Sequence, residues 1–440
     1  MMKHYDSYKQ SGIEWIGEIP SQWELKRLKH VSNSINGYSF KSEDFDLNKE
    51  TPVIRIGDVG DVIDFENIIR IDSSYLETKG DYIVKKGDML IGLTGGTIGK
   101  TGKYNYDFPS LLNQRVGLLR NNSMLLNHLL YHFLKSKIFM TNILFDCYGG
   151  GQDNISMNDI NNIRIPLPPL SEQEHIVSYL DDKTTKIDEL IQKKLRKIDL
   201  LKEYRTSLIN TVVTKGLNPD VPMKDSGIEW IGEIPSHWNK IKVGYISKLL
   251  TGNPWSSDKF DYDKGIKIVR GENVSEGFLR WGERTRYWIE QVEDDSNFYL
   301  TDGDIIIGMD GSKVGKNYVR IKKNDLPLLL HQRMCRVRVN DSNDSKFVEY
   351  WIGSDIFKYY IDISKTDPMI PHITQKNIFD FCVTLPPISE QEHIVSYLDE
   401  KTSQIDKTID IEKKKIQLLK EYRQSLISNV VTGKIKVVSE

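Results

Sequence analysis

PPLSEQEHIVSYLD at residues 168–181 returns as PPISEQEHIVSYLD at 386–399. Each copy opens a run that closes on LLKEYR, at 200–205 and again at 418–423, so the offset is 218 at both ends. A chain of 440 residues that repeats itself after about half its length is built from two equivalent halves. That length also exceeds what one hydrophobic core usually serves, so at least two domains are expected.

The repeated stretch reads as a long helix. Ser171 and Ser389 follow the prolines where an N-cap belongs, and Glu174 and Glu392 stand three residues on, as a capping box requires. Val177, Leu180, Thr184, Ile187, Ile191, Lys194, Ile198, Leu201, Arg205, Leu208 and Val212 then form an alternating three-four series. Shifted by 218, the series becomes Val395, Leu398, Thr402, Ile405, Ile409, Glu412, Ile416, Leu419, Arg423, Leu426 and Val430. Such a sustained heptad seam predicts a coiled coil. Gly216, with Pro219 beyond it, is a glycine stop for the first helix. At 1.5 Å per residue the helix spans on the order of 65 Å. One seam position differs in sign: Lys194 answers to Glu412. Opposite charges at mid-helix favour an antiparallel pair within one chain over self-pairing of either helix. That pairing places the two remaining domains at opposite ends of a rigid spacer.

Outside the helices each half opens on a near-identical stretch, SGIEWIGEIPSQW at 11–23 and SGIEWIGEIPSHW at 226–238. Its Trp and Ile residues read as an apolar clasp that packs and does not bind. Short β-branched runs between turn residues follow at 51–60, 82–93 and 116–120, with counterparts at 266–277, 299–309 and 335–339. Helical patterns occupy 124–140 and 345–361, and each domain leaves through a Pro-containing strand. The expected fold class is α+β, with two β-rich domains at 1–167 and 217–385 and two spacer helices at 168–216 and 386–440.

Composition sets further bounds. Hydrophobic content of 39% with 28% charged residues fits a folded, water-soluble chain. Cys147, Cys335 and Cys382 form no CxxC and no metal-ligand spacing, which suits a reducing interior. With no signal-peptide core at the N-terminus and no apolar run of membrane length, a cytoplasmic location is expected. Net charge is only −2, yet it is segregated. Residues 41–88 carry seven basic against twelve acidic side chains, 89–145 carry six against one, and 305–340 carry eight against two. Each half therefore holds one basic segment at the equivalent place, as an electrostatic footprint on phosphate needs.

Catalytic motifs are missing. GGTIGKT at 95–101 falls short of a phosphate-binding loop because position 94 is Thr, and its counterpart GSKVGKN ends on Asn317 where a magnesium-binding hydroxyl belongs. His128 and His132 have helical spacing but lack the Glu of HExxH, and the second half offers Lys346 and Tyr350 there. ETK at 77–79 has no counterpart. No glycine-rich S-adenosylmethionine loop and no NPPF or DPPY tetrapeptide occurs; NPW at 253–255 and DPM at 367–369 do not match.

Recognition residues remain. A Gly-rich basic loop in each half (Lys100 and Lys103; Lys313 and Lys316) precedes a polar triplet, Asn113-Gln114-Arg115 or His331-Gln332-Arg333. Gln and Arg suit bidentate contacts to adenine and guanine edges, and lysines suit phosphate. Arg270 and the RWGERTRYW patch, with Arg280, Arg284 and Arg286, complete the DNA-binding candidates. Each of these side chains has a bland reading as turn support or exposed strand. The mid-helix lysines, Lys193, Lys194, Lys197 and Lys413–Lys415, read as a solvated face that could also follow phosphates.

Together the GIEWIGEIPxxW openings, the GD-hydrophobic-G…GK stretch, PPxSEQEHIVSYLD and LLKEYRxSLI resemble the specificity (S) subunits of type I restriction-modification systems, over essentially the whole chain. The resemblance implies two target recognition domains that each read half of a bipartite DNA site, with the paired helices as ruler and as docking surface. It implies two methyltransferase (M) subunits and, in the larger complex, two restriction (R) subunits as partners. S-adenosylmethionine, ATP and Mg2+ would then belong to those partners, and this chain would hold no cofactor and no metal. Segments 38–50 and 253–265, or 66–80 and 278–292, have little in common, so the implied target is asymmetric. A scaffold or adaptor whose two β-rich domains bind proteins is the alternative.

Overall fold

A computed structural model describes residues 4–122, 125–147, 154–289, 297–365 and 371–437, the side chains of 144, 146 and 147 excepted. DPM at 367–369 and the Cys147 side chain thus lie outside the described residues. The chain forms two compact units, Met1–Leu195 with Lys413–Glu440, and Arg196–Glu412. Each unit contains one β-rich domain, the start of one long helix and the end of the other. The fold is α+β with an internal repeat, as the duplicated sequence implies.

In the first unit, strands Ser32–Asn36, Val116–Asn121, Met89–Gly92 and Thr101–Lys103 lie in that order in an antiparallel sheet. A second sheet orders Arg70–Ile71, Thr51–Ile54, Ser110–Leu112 and Ile83–Val84, with Thr51–Ile54 and Ser110–Leu112 parallel. Ile54, Leu90, Tyr104, Leu112, Val116 and Leu118 fill one core. The second unit repeats the plan. Ser247–Thr251, Met334–Val339, Ile305–Gly308 and Tyr318–Arg320 form one sheet, and Phe260–Asp261, Tyr287–Trp288, Ile266–Val269 and Leu328–Leu330 form the other. The β-branched runs of the sequence fall on these strands, and Thr51–Ile54, Met89–Gly92 and Ile305–Gly308 are buried on both faces as continuous apolar runs should be. The aspartates of the two GD motifs are buried and hold an arginine by two bonds each. Asp88 takes Arg120 at 2.8 and 2.6 Å, and Asp304 takes Arg338 at 2.7 Å twice.

The helical patterns expected at 124–140 and 345–361 are each two helices. Asn127–Lys135 (α1) is followed by Lys137–Cys147 (α2), and the break falls at Ser136, whose hydroxyl accepts the Phe139 amide at 3.2 Å. Ser345–Ile352 and Asp355–Ser364 break likewise at Ser354, an N-cap for Phe357. A serine that caps ends one helix and begins the next, which apolar periodicity alone does not reveal.

The long helices are Leu170–Lys215 (α3) and, after Ser345–Ile352 (α4) and Asp355–Ser364 (α5), Ile388–Val431 (α6). They start two residues before the expected place. Pro169 and Pro387 stand at the cap, their carbonyls accepting from Glu172 and Gln173, and from Glu390 and Gln391, at 2.9–3.0 Å. Ser171 and Ser389 are exposed inside the first turn and make no capping bond among the described residues, and Glu174 and Glu392 are exposed as well. The glutamine of SEQEH takes over. Buried Gln173 donates to Pro168 O at 3.0 Å and accepts the Leu126 amide at 3.0 Å; buried Gln391 donates to Pro386 O at 2.9 Å and accepts the Asp344 amide at 2.9 Å. Each helix start is thereby tied to the chain entering α1 or α4.

The seam is as expected: Leu180, Thr184, Ile187, Ile191, Ile198 and Val212 are buried, as are Leu398, Thr402, Ile405, Ile409, Ile416 and Val430. Within each unit the helix segments run antiparallel. In the second unit Lys197 meets Glu412 at 3.0 Å and Arg205 meets Asp406 at 3.0 Å, while Gly216, at the end of α3, lies beside Trp238 and Glu390 at the start of α6. In the first unit Asp188 meets Arg423 at 2.9 Å, and Gly433, just past α6, lies against Pro20 and Trp23, whose indole donates to Glu172 at 3.0 Å. The GIEWIGEIPxxW stretch is thus a clasp over a helix start, with Ile16, Ile19 and Trp23, and Ile231, Ile234 and Trp238, all buried. Glu412 is buried, and Lys197, three residues on from Lys194, supplies a countercharge.

Candidate nucleic-acid interface

The polar triplets sit on closely held turns, one in each domain. Asn113 O accepts the Val116 amide at 3.2 Å, which closes a four-residue turn with Gln114 and Arg115 at its tip. Ile54 O, Tyr38 O and the Leu93 amide bind the Asn113 amide, the Gln114 amide and the Arg115 carbonyl at 2.8–3.0 Å. His331, Gln332 and Arg333 make the same bonds to Val269 O, Asn253 O and the Met309 amide at 3.0–3.2 Å. Close packing fixes the turn further: a Cβ on Gly37 would lie 1.8 Å from Asn113 O, and one on Gly252 2.1 Å from His331 O.

Such a turn demands a left-handed third residue, usually Gly or Asn. Here it is arginine, with φ +69° at Arg115 and +66° at Arg333. Among the described residues these are the only non-glycine positions with positive φ. Each costs about 1 kcal/mol relative to glycine. Both side chains are exposed, as are Gln114 and Gln332. Arg115 has no ion pair or side-chain hydrogen bond among the described residues. Arg333 has one ion pair, to Asp310 at 3.2 Å, and Asp310 also meets His372. The first residue of each turn is buried: Asn113 in one domain, and in the other His331, whose imidazole pKa is held below its ordinary value by burial.

The remaining basic candidates divide by partner. Lys100, Lys313 and Lys316 are exposed with no ion pair among the described residues. Lys103 is committed instead, its ammonium 2.7 Å from His128 Nε2. Arg270 pairs with Glu272 at 3.1 Å and lies over the Phe260 ring; Arg284 reaches the same carboxylate at 3.9 Å. Arg280 donates to Glu272 O at 3.3 Å, and Arg286 lies 4.3 Å from the centre of the exposed Tyr262 ring. Arg270, Arg280 and Arg284 therefore form one cluster around Glu272, and Arg286 presents a cation on an aromatic face beside it. Several other cations of the basic segments serve the fold: Arg120 and Arg338 on their aspartates, Lys135 on Asp61 at 2.9 Å, and Arg336, which is buried.

Sequence reading did not foresee what the helical histidines do. Asp181 of α3 accepts from His128 Nδ1 at 2.8 Å and meets His132 Nε2 at 2.7 Å. Lys103 can only donate, so His128 Nε2 accepts and its proton lies on Nδ1, facing the carboxylate. In the second half Asp399 meets Lys346 at 2.5 Å and Tyr350 at 2.6 Å. One joint, between the long helix and its domain, is built with two chemistries. Burial works to raise the Asp181 pKa, and the His132 and His128 hydrogen bonds outweigh it, holding the carboxyl below its ordinary range. Among the described residues no group of three or more His, Cys, Asp or Glu is placed to hold a metal ion. Among the same residues, no helix is long and apolar enough to cross a membrane.

Comparison with known proteins decides the family. The type I restriction modification DNA specificity domain matches twice, over residues 20–200 and 235–421. The chain belongs to this specificity family. It is similar to the MjaVIII specificity subunit of Methanocaldococcus jannaschii, 24% identical over 95% of this chain and 94% of that one. It is also similar to the EcoKI specificity subunit of Escherichia coli K12, 22% identical over 95% and 90%. Among solved structures, a chain described under complex assembly and conformational transition of the type I R-M system shares its fold, with a TM-score of 0.72 at 16% identity over 95% of this chain and 99% of that one. The HsdS subunit from Thermoanaerobacter tengcongensis follows, with a TM-score of 0.53 at 18% identity over 95% and 98%. Both repeats of the specificity family carry a strained Gln-Arg turn in this chain.

Proposed function

We propose that this specificity-family chain is the non-catalytic, sequence-reading subunit of a type I restriction-modification complex. Each β-rich domain reads one half of a bipartite duplex site. Two M subunits dock on the chain and methylate adenine, and R subunits join to cleave. S-adenosylmethionine, ATP and Mg2+ act on those partners. The observation that carries this is the pairing of matched scaffolds with unmatched edges. The sheets, the Gln-Arg turns and the helix starts repeat. The second domain has the Arg270–Glu272–Arg284 cluster and the Arg286–Tyr262 stack, where the first has an Arg55–Asp58 pair at 3.9 Å and Lys79 over the Tyr38 ring. Unequal reading edges on equal frames make the target asymmetric.

The test is equilibrium binding of the full chain, with its M partner, to duplexes that carry candidate bipartite sites, at several salt concentrations. Expected is tight binding to one asymmetric sequence, with log K falling steeply and linearly against log salt. Binding that ignores salt, or no binding to any duplex, overturns the proposal.

A further inference from the structure

We infer that Arg115 and Arg333 are a matched pair of phosphate anchors, one per domain, that hold DNA without reading its sequence. This rests on the proposed role as a DNA-reading subunit and goes a step further, by separating grip from reading among the candidate residues.

The inference starts from a choice the chain makes twice. A type II-like turn accepts glycine at its third position at no steric cost. Both domains place arginine there, at φ +69° and +66°. Strain of this kind persists where the surroundings over-determine the backbone and the side chain is needed. Among the described residues the fold makes little use of these side chains. Both are exposed, Arg115 has no side-chain partner among the described residues, and Arg333 has only Asp310, already shared with His372. The fold's own demand for a cation on these strands is met elsewhere, five residues on, by Arg120 and Arg338. Arg115 lacks a side-chain partner among the described residues and Arg333, though ion-paired with Asp310, is still 74% exposed, so both guanidiniums are open to a partner outside the chain.

Which partner follows from the internal comparison. Arginine has five donors and no acceptor, so the partner offers acceptors. The Gln-Arg tip is the same in both domains, while the segments at 66–80 and 278–292 differ. A residue that discriminated between two unlike half-sites would differ between the domains. A residue held constant meets what the half-sites share, and duplex halves of any sequence share the phosphodiester backbone. The turn also suits positioning. Beyond any bond within the turn itself, three of its backbone groups bond to different strands or loops of the scaffold, so the guanidinium starts from a fixed base.

The test compares the full wild-type chain with Arg115→Gly, Arg333→Gly and the double variant, each with its M partner, on two unrelated mixed-sequence 30-base-pair duplexes. Glycine removes the strain with the side chain, so each variant should melt no lower than wild type. DNA affinity should nevertheless fall by on the order of tenfold per arginine at low salt, equally on both duplexes. The slope of log K against log salt should flatten by about 0.9 for each single variant and about 1.8 for the double. Unchanged affinity and slope, with wild type binding normally, overturns the anchor and leaves the reading role standing. A loss confined to one duplex overturns it too, because it makes the arginine a base reader. A lower melting temperature with unchanged DNA binding makes the arginine a structural residue and likewise overturns it. A wild-type chain that binds neither duplex at any salt brings down the reading role itself.

Discussion

Arg115 and Arg120 stand five residues apart in one domain, as Arg333 and Arg338 do in the other, and the members of each pair do opposite work. Arg120 and Arg338 close two-bond pairs on aspartates that are almost wholly buried. Arg115 and Arg333 point outward from strained turns. The same residue type on adjoining pieces of backbone is in one place bound to a buried carboxylate and in the other an exposed cation. A basic segment counted in sequence is thus not a footprint; the footprint is what remains after the fold has taken its share.

The most disruptive way to probe this contrast is to remove a buried partner. Asp304→Ala leaves Arg338 without its carboxylate and strips the Thr301 amide of its acceptor. A loss of about 3 kcal/mol in the stability of the second unit is expected. Arg333→Ala, at the exposed position, should change stability by no more than about 0.5 kcal/mol. Thermal unfolding of both variants checks this, and equal effects would erase the distinction.

Next in size is the helix start. Gln391→Ala removes one side chain that serves the Pro386 carbonyl, Asn343 and the Asp344 amide, all near α4. A cost of about 2 kcal/mol is expected, since buried backbone groups lose their partners. Urea unfolding of the second unit measures it. Ser389→Ala, two residues earlier, should cost less than about 0.3 kcal/mol, where a true N-cap serine would cost about 1. A larger effect would restore the serine as the cap.

The two joints allow a gentler comparison. Asp181 is held below its ordinary 3.8, so its bonds to His128 and His132 stabilise the first unit at neutral pH. That contribution is present above the unfolded value and is lost as pH falls through the depressed folded value. Asp181→Asn should therefore unfold more easily than wild type at pH 7, and the gap should close in acid. Urea midpoints of the two proteins across that range check the sign, and a gap that widens in acid contradicts it.

The long helices were legible because a 218-residue offset lays two copies of one seam side by side. The β-rich domains were legible as short apolar runs between glycines. The helix start was misplaced by two residues, because a serine after two prolines looks like a cap while the Pro169 and Pro387 carbonyls already fill that role. The breaks at Ser136 and Ser354 were hidden by unbroken apolar periodicity. Gln114, Arg115, Gln332 and Arg333 were found as chemistry, yet their backbone strain was invisible, since arginine seldom adopts a left-handed conformation. The Asp181 joint escaped notice because its partners lie about fifty residues away and change from His and His to Lys and Tyr. Duplication, so useful for the scaffold, points away from a joint whose chemistry diverged.

Equal frames bearing unequal reading edges are tested most directly by mapping methylated adenines in the genome of cells that carry this chain with its methyltransferase partner, against cells from which the chain alone is deleted. The expected result is one gapped motif with two different half-sites at a fixed spacing, lost on deletion. A palindromic motif, or methylation that survives without the chain, would contradict it.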